Sequence, residues 1–148
     1  MSDNQLVDAS FPIVIGNDTL FCSMLTDRDA GDLENWAQAD FIRKATLAAK
    51  EFDTELRKEI IAVALKEAMD ITYGDEVCHS VVWSREGIAV IGWVMLRKRH
   101  PKLTLEKFRA AYFSDEINHR EQVLIAYQKL HYIKEASGGA STGNTKSE

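Results

Sequence analysis

Residues 84–106 constrain the fold of this chain more than any other segment. Ser84 can cap a helix, and every position over 87–96 is apolar or glycine, so the segment predicts a helix that is apolar almost all the way round. Such a helix is buried in a core or held against a partner. Pro101 ends it, because proline pushes the residue before it out of helical conformation, and Thr104 can cap the next helix. The pattern indicates packing or binding rather than catalysis.

Helical patterning extends over most of the chain. Proline occurs only twice in 148 residues, and long proline-free spans permit helix because an interior proline costs about 3 kcal/mol. Apolar spacing predicts a mainly-α fold, a small bundle of about four or five helices. We expect helices over about 27–52, 55–71, 85–99 and 105–112, with a last helix that is capped by Ser114 or Asn118 and ends near 136. One kinked helix is an alternative to the first two, and residues 77–83 are ambiguous between helix and extended structure.

The N-terminal part has the pattern of a β-hairpin. Over residues 11–23, two short runs of β-branched and aromatic residues flank Gly16, Asn17 and Asp18, which is typical of a hairpin turn. An isolated hairpin is marginal in water, so it must pack on helices or on another chain. We therefore expect a flexible leader over 1–10, a single helical domain with this hairpin over 11–136, and a disordered tail rich in Gly, Ser and Thr over 137–148.

Charge is distributed unevenly along the chain. The formal net charge is -5, but the first 76 residues hold 16 acidic and 7 basic side chains, a net charge of -9. The acidic front half argues against a nucleic-acid-binding surface there. The dense basic run over 97–102 is typical of a helix C-terminus, with a phosphate-binding patch as the alternative.

The two cysteines indicate the cellular compartment and bear on whether the protein carries catalytic or metal-binding groups. Cys22 and Cys78 do not make a disulfide framework, so we expect a reducing cytoplasm. The polar, acidic N-terminus is no secretory signal, and the longest apolar run is far shorter than the roughly 20 residues of a membrane span. The pair Cys78 and His79 falls short of the four ligands of a structural zinc site, and no nucleotide-binding or nucleophile motif occurs. We expect a soluble protein with no enzyme activity, no metal and no cofactor.

Large apolar side chains are the remaining candidates for function. Each is a core residue or, alternatively, a contact residue in an interface, where tryptophan is a frequent hot spot and methionine adapts to varied partners. Gly92 predicts a close approach of another backbone to its helix. The candidate protein-binding residues are Trp36, Phe41, Met69, Trp93 and Met95.

Three segments carry a family resemblance. They are the hairpin over 13–21, the helix entry over 25–36 with its Leu-Thr-x-x-Asp pattern, and the apolar helix over 84–104 that runs into His-Pro-x-Leu-Thr. In these segments the chain resembles the tail assembly chaperones of long-tailed, siphophage-type bacteriophages. The resemblance covers about 11–112, whereas residues 119–133 match no pattern of the family.

The resemblance implies a small helical protein without a cofactor in the host-cell cytoplasm. It would bind and solubilise the tape measure protein until tail tube subunits polymerise around it, and it would be absent from the finished virion. Its partners would be the tape measure protein and the tail tube protein, and it could form a homo-oligomer. The family often makes a longer frameshifted product, with which a tail over 137–148 is compatible.

Two other functions fit the same residues. The chain could be a structural tail or adaptor component of the phage particle, with the hairpin adding a strand to a neighbour. It could also be a small regulatory helical protein that binds DNA through the basic run over 97–102, with binding that weakens steeply as salt rises.

Overall fold

The structure, a computed structural model, describes the backbone of residues 9–146 and the side chains as far as His131. Within this range an antiparallel hairpin precedes six helices, which confirms the predicted mainly-α fold with an N-terminal β-hairpin. The strands are β1 (Ser10–Ile15) and β2 (Asp18–Ser23), and the helices are α1 (Asp27–Ala49), α2 (Thr54–Met69), α3 (Glu76–Val82), α4 (Arg85–Arg97), α5 (Leu105–Ser114) and α6 (Glu116–Lys146).

Two compact units divide the described chain. The first, here the helical unit, is 27–87, and the second, here the hairpin unit, joins the residues before 27 to those from 88 onward. The range 11–136 that the sequence predicts as one domain contains all of the helical unit and most of the hairpin unit. The expected leader lies almost wholly outside the described residues. The sequence predicts a last helix that ends near 136, whereas the backbone of α6 is helical as far as Lys146. The disorder expected over 137–148 stays a prediction.

Two separate helices, α1 and α2, pack together in the helical unit. Asp53 separates them, because its carboxylate accepts a hydrogen bond from the Leu56 N–H at 2.9 Å and caps α2. The Arg57 guanidinium donates to the carbonyls of Ala49, Lys50 and Phe52 at 3.4, 3.3 and 3.1 Å. These carbonyls lie at the C-terminal end of α1, where a cation is favourable.

The ambiguous segment over 77–83 is helical as part of α3. Asp75 caps this helix, because its carboxylate accepts from the Cys78 N–H at 2.6 Å, and α3 packs against α1. The connection from α2 is also tied to α1, since the Gln38 amide donates to the Ile71 carbonyl at 2.9 Å. The helical unit is therefore one compact group of three helices.

The apolar helix α4 begins as predicted, with the Ser84 hydroxyl accepting from the Gly87 N–H at 3.1 Å. Its residues from Gly87 to Leu96 are all buried except Trp93. At Gly92 a Cβ would lie 2.9 Å from the Phe108 ring and 3.0 Å from a Val123 methyl. The helix is tightly crossed, but at this glycine the close neighbours are side chains of α5 and α6, not the backbone that the sequence predicted.

In the hairpin unit, α6 packs against both β1 and α5. One face of the hairpin contributes Ile13, Ile15 and Cys22 to the core, because successive strand residues point to opposite faces. The two-residue turn is made possible by Gly16, whose φ of +63° is typical of the first central position of a type II′ turn.

Candidate functional site

A row of apolar side chains on α2 faces solvent along one side of the helix. Leu56, Ile60 and Val63 stand four and three residues apart, which places them on one stripe of a helix. Leu56 is 39% and Val63 55% exposed, and Ile60 is half-buried. We call these three residues the apolar row.

Small residues on the neighbouring stripe explain this exposure. The buried positions of α2 are Ala64 and Ala68, and Arg57, which reaches α1, lies on the same stripe as both. Because alanines fill this buried stripe, the larger side chains that flank it stay at the surface. On the opposite flank lie Leu65, which is 46% exposed, and Met69, which is 81% exposed.

The helical unit exposes more large apolar side chains than the row alone. Isolated exposed apolar residues are ordinary, whereas groups of them mark interaction surfaces. In the described residues over 27–87, those beyond the row are Leu47, Phe52, Leu65, Met69, Tyr73 and Val77.

Acidic side chains border the apolar row. Glu59 stands three residues after Leu56 and four before Val63, and Glu67 follows Val63 by four, so both lie beside the stripe. Both are exposed. Lys66, three residues after Val63 and also exposed, is a basic side chain beside it. The unit as a whole has 14 acidic and 8 basic residues over 27–87, a net charge of -6. The surface therefore combines apolar area with negative charge.

The five residues singled out from the sequence do not share one unit. Trp36 and Phe41 are half-buried on α1, and Met69 is exposed at the end of α2. Trp93 and Met95 belong to the hairpin unit. The Trp93 indole N–H donates to the Leu103 carbonyl at 2.8 Å, and Met95 is a core residue, only 1% exposed.

The sequence candidates omit the apolar row, although its pattern is present in the sequence. Tryptophan and methionine drew attention because of their residue type. The signal for the row is the four-then-three spacing of Leu56, Ile60 and Val63, displaced from the alanine stripe of Ala64 and Ala68. On an amphipathic helix the larger apolar residues are expected to occupy the buried stripe, and here they flank it.

Side chains occupy the outer edges of the hairpin. Gln122 of α6 pairs with both backbone groups of Val14: its amide oxygen accepts from the Val14 N–H, and its amide nitrogen donates to the Val14 carbonyl at 2.7 Å. On the other edge, His100 Nε2 accepts from the Phe21 N–H at 2.9 Å. Pro12 has no N–H to offer. An added strand would pair with the backbone groups of Val14 and Phe21, and these groups are already bonded.

His119 holds the turn of the hairpin. Its Nδ1 lies 2.9 Å from the Tyr112 carbonyl oxygen and its Nε2 3.2 Å from the Gly16 nitrogen. A carbonyl only accepts, so Nδ1 carries the proton and Nε2 accepts from the Gly16 N–H. The imidazole is buried, at 4% exposure, and both of its nitrogens have hydrogen-bond partners.

The basic run over 97–102 is partly engaged within the protein. The Arg97 guanidinium lies 5.4 Å from the centre of the Trp93 ring, and the Arg99 Nε donates to the Ser23 hydroxyl at 3.1 Å. His100 bonds the hairpin as described above. These side chains connect α4 and the following turn to β2 and to the core.

The two thiols are buried. Burial raises the pKa of Cys22 to about 12, and burial is also the largest cause that raises the pKa of Cys78. Nucleophilic and metal-binding cysteines act as thiolates, and these shifts keep both thiols protonated at neutral pH. Among the described side chains, no group of three or more His, Cys, Asp or Glu residues has the arrangement of a metal site.

Comparisons with known proteins add no relative. The chain matches no protein-family model, no curated protein and no solved structure. Among the described helices, none combines the length and the apolar character that a membrane crossing requires.

Proposed function

We propose that this protein is a tail assembly chaperone, which binds a phage tape measure protein and keeps it soluble until the tail tube forms around it. The observation that carries the proposal is the exposed apolar row of the helical unit, Leu56, Ile60 and Val63 of α2. The segments over 13–21, 25–36 and 84–104 support it through their resemblance to the family.

The physical requirements of such a chaperone match this surface. A holdase binds an unassembled client, and a long helical client offers apolar stripes that need cover. Exposed apolar side chains provide that cover through helix-in-groove contacts. The negative charge of the helical unit, -6 over 27–87, favours solubility of the complex and repels nucleic acid.

The other two functions have less support. A particle component that adds its hairpin strand to a neighbour would need backbone groups at Val14 and Phe21 that already bond Gln122 and His100. A DNA-binding protein would need the basic run over 97–102, where Arg97 and Arg99 make contacts within the protein.

Co-expression tests the proposal directly. The chain is expressed together with a tape measure protein encoded in the same genome, and the fraction of that protein that stays soluble and is pulled down is measured. We expect rescue of the client by this chain and no rescue of an unrelated long helical protein. A client that pellets equally with and without this chain would refute the proposal.

Purified virions give the second test. A chaperone leaves before the tail is complete, so mass spectrometry should find the client and tube proteins and not this chain. Detection of the chain at a stoichiometry fixed relative to the tube protein would instead make it a structural component.

A further inference from the structure

We infer that the apolar row of α2 with its acidic border binds a cationic amphipathic helix of the partner. This inference rests on the proposed function and names the chemistry of the segment that is recognised. The row comprises Leu56, Ile60 and Val63, and the border comprises Glu59 and Glu67.

The dimensions of the row suit a helix. Leu56 and Val63 are seven residues apart, which is about two turns or roughly 10 Å along the helix axis. A partner helix presents anchors at the same i, i+3, i+4 and i+7 spacing. Leu56 and Val63 are exposed at 39% and 55%, so each has apolar area that a partner side chain can cover.

The negative charge beside the row indicates which class of partner helix it binds. Glu59 and Glu67 are exposed beside the row, in a unit of net charge -6. A helix whose apolar stripe is bordered by Lys or Arg would meet opposite charge, whereas one bordered by Glu would meet like charge, which disfavours binding. A second copy joined row to row would bring four carboxylates and only two lysines, both Lys66, to one interface. The cationic helix is therefore the occupant that fits.

Peptide binding by the intact protein tests the inference. The probe is a fluorescein-labelled 18-residue amphipathic helix of Leu and Lys, with a scrambled peptide of the same composition and a Leu/Glu helix as controls. We expect fluorescence anisotropy to show binding of the Leu/Lys helix, with at least tenfold weaker binding of both controls.

Variants locate the site. The double variant Leu56→Ser/Val63→Ser should weaken binding of the Leu/Lys helix at least tenfold. The matched control Met69→Ser removes a more exposed apolar side chain from the other flank and should leave binding unchanged. All three positions are at the surface, and circular dichroism checks that each variant keeps its helices.

Charge reversal distinguishes electrostatic attraction from nonspecific binding to apolar surface. Glu59→Lys/Glu67→Lys should lower affinity for the Leu/Lys helix and raise affinity for the Leu/Glu helix. Equal binding of helical and scrambled peptides would overturn the inference. So would full affinity in Leu56→Ser/Val63→Ser, or a concentration-dependent dimer that this variant abolishes, since a second copy would then be the occupant.

The same double variant distinguishes the inference from the proposed function. If the tape measure protein is rescued equally well by Leu56→Ser/Val63→Ser, the function stands and the row is not its binding site. If the Leu/Lys helix binds at the row and no tape measure protein is rescued, the row is a helix-binding site of another function.

Discussion

The three glycines within α1 to α5 differ in the space that an added side chain would find at each position. A Cβ at Gly31 would meet nothing within 4 Å, whereas a Cβ at Gly92 would lie 2.9 Å from Phe108 Cζ. At Gly87 a Cβ would overlap the carbonyl oxygen of Val82. A side-chain ring can shift by a few tenths of an ångström, but the backbone at the end of α3 moves only with its helix.

These surroundings predict three different outcomes for substitution by alanine. Gly31→Ala should stabilise the protein by about 0.5–1 kcal/mol, because it gains helix propensity at no steric cost. Gly92→Ala should destabilise by about 1–3 kcal/mol through overpacking, and Gly87→Ala should destabilise more than Gly92→Ala. Urea unfolding measures all three, and equal effects at the three positions would contradict the steric account.

Cys22 provides a second prediction for a single residue. It is 0% exposed, and burial raises its pKa to about 12. An unfolded thiol titrates near pH 8.5, so the folded state loses stability as pH rises from about 8.5 to 12. In Cys78→Ser, the remaining thiol should react with a disulfide reagent at pH 8 only after urea unfolds the chain. Fast labelling without urea would contradict this.

Residue-scale features that act locally could be predicted from the sequence. Ser84 and Thr104 cap helices as expected, because a capping side chain bonds a backbone group only three residues away. The bond between Gln122 and Val14 spans 108 residues of sequence. Nothing local distinguishes this glutamine from other polar residues of α6, so it could not be predicted.

At the scale of elements, α6 stabilises the β-hairpin, because its Gln122 bonds both backbone groups of Val14 at the outer edge of β1. Gln122→Leu keeps a similar volume but removes both hydrogen bonds to Val14. We expect a loss of about 1–3 kcal/mol and faster hydrogen exchange of the Val14 amide. The matched control is Gln128→Leu, an exposed position on the same helix. Unchanged protection of Val14 in Gln122→Leu would mean that the strand pairing alone holds the hairpin.

The helix pair of α1 and α2 depends on Arg57 in a similar way. Arg57→Met keeps the apolar stem and removes the donors to the carbonyls of Ala49, Lys50 and Phe52. We expect a loss of about 1–2 kcal/mol in the free energy of unfolding. Lys58→Met, at an exposed neighbouring position, should change stability by less than about 0.5 kcal/mol. An equal effect of both substitutions would exclude a specific role for Arg57.

The candidate site shows why element patterns were insufficient to predict it. The spacing of apolar residues correctly predicted that α2 is a helix, but periodicity does not tell which apolar stripe is buried. In α2 that stripe is made of Ala64 and Ala68, and the larger Leu56 and Val63 remain exposed. Packing against α1 determines which stripe of α2 is buried, and packing between helices is a long-range property.

At the scale of the whole molecule, two carboxylates of the helical unit link stability to acid. Burial acts to raise the pKa of Asp40, but the Arg43 and Lys44 side chains beside it outweigh burial and lower that pKa. The pKa of Asp75 is lowered by the N–H groups of Cys78 and Thr72. Both shifts favour the ionised carboxylate in the folded state.

The direction of these shifts gives the pH dependence of unfolding. A carboxylate with a lowered pKa contributes stability above the unfolded value, about 3.9 for Asp, and loses it as pH falls through the folded pKa. We expect urea unfolding to show stability falling from pH 5 to pH 3. Asp40→Asn/Asp75→Asn should be less stable at pH 7, with about 1 kcal/mol lost at Asp40, and should show a shallower fall below pH 5. The control is Glu51→Gln, at an exposed position. If the double variant keeps the wild-type slope while the control flattens it, other carboxylates govern the acid response.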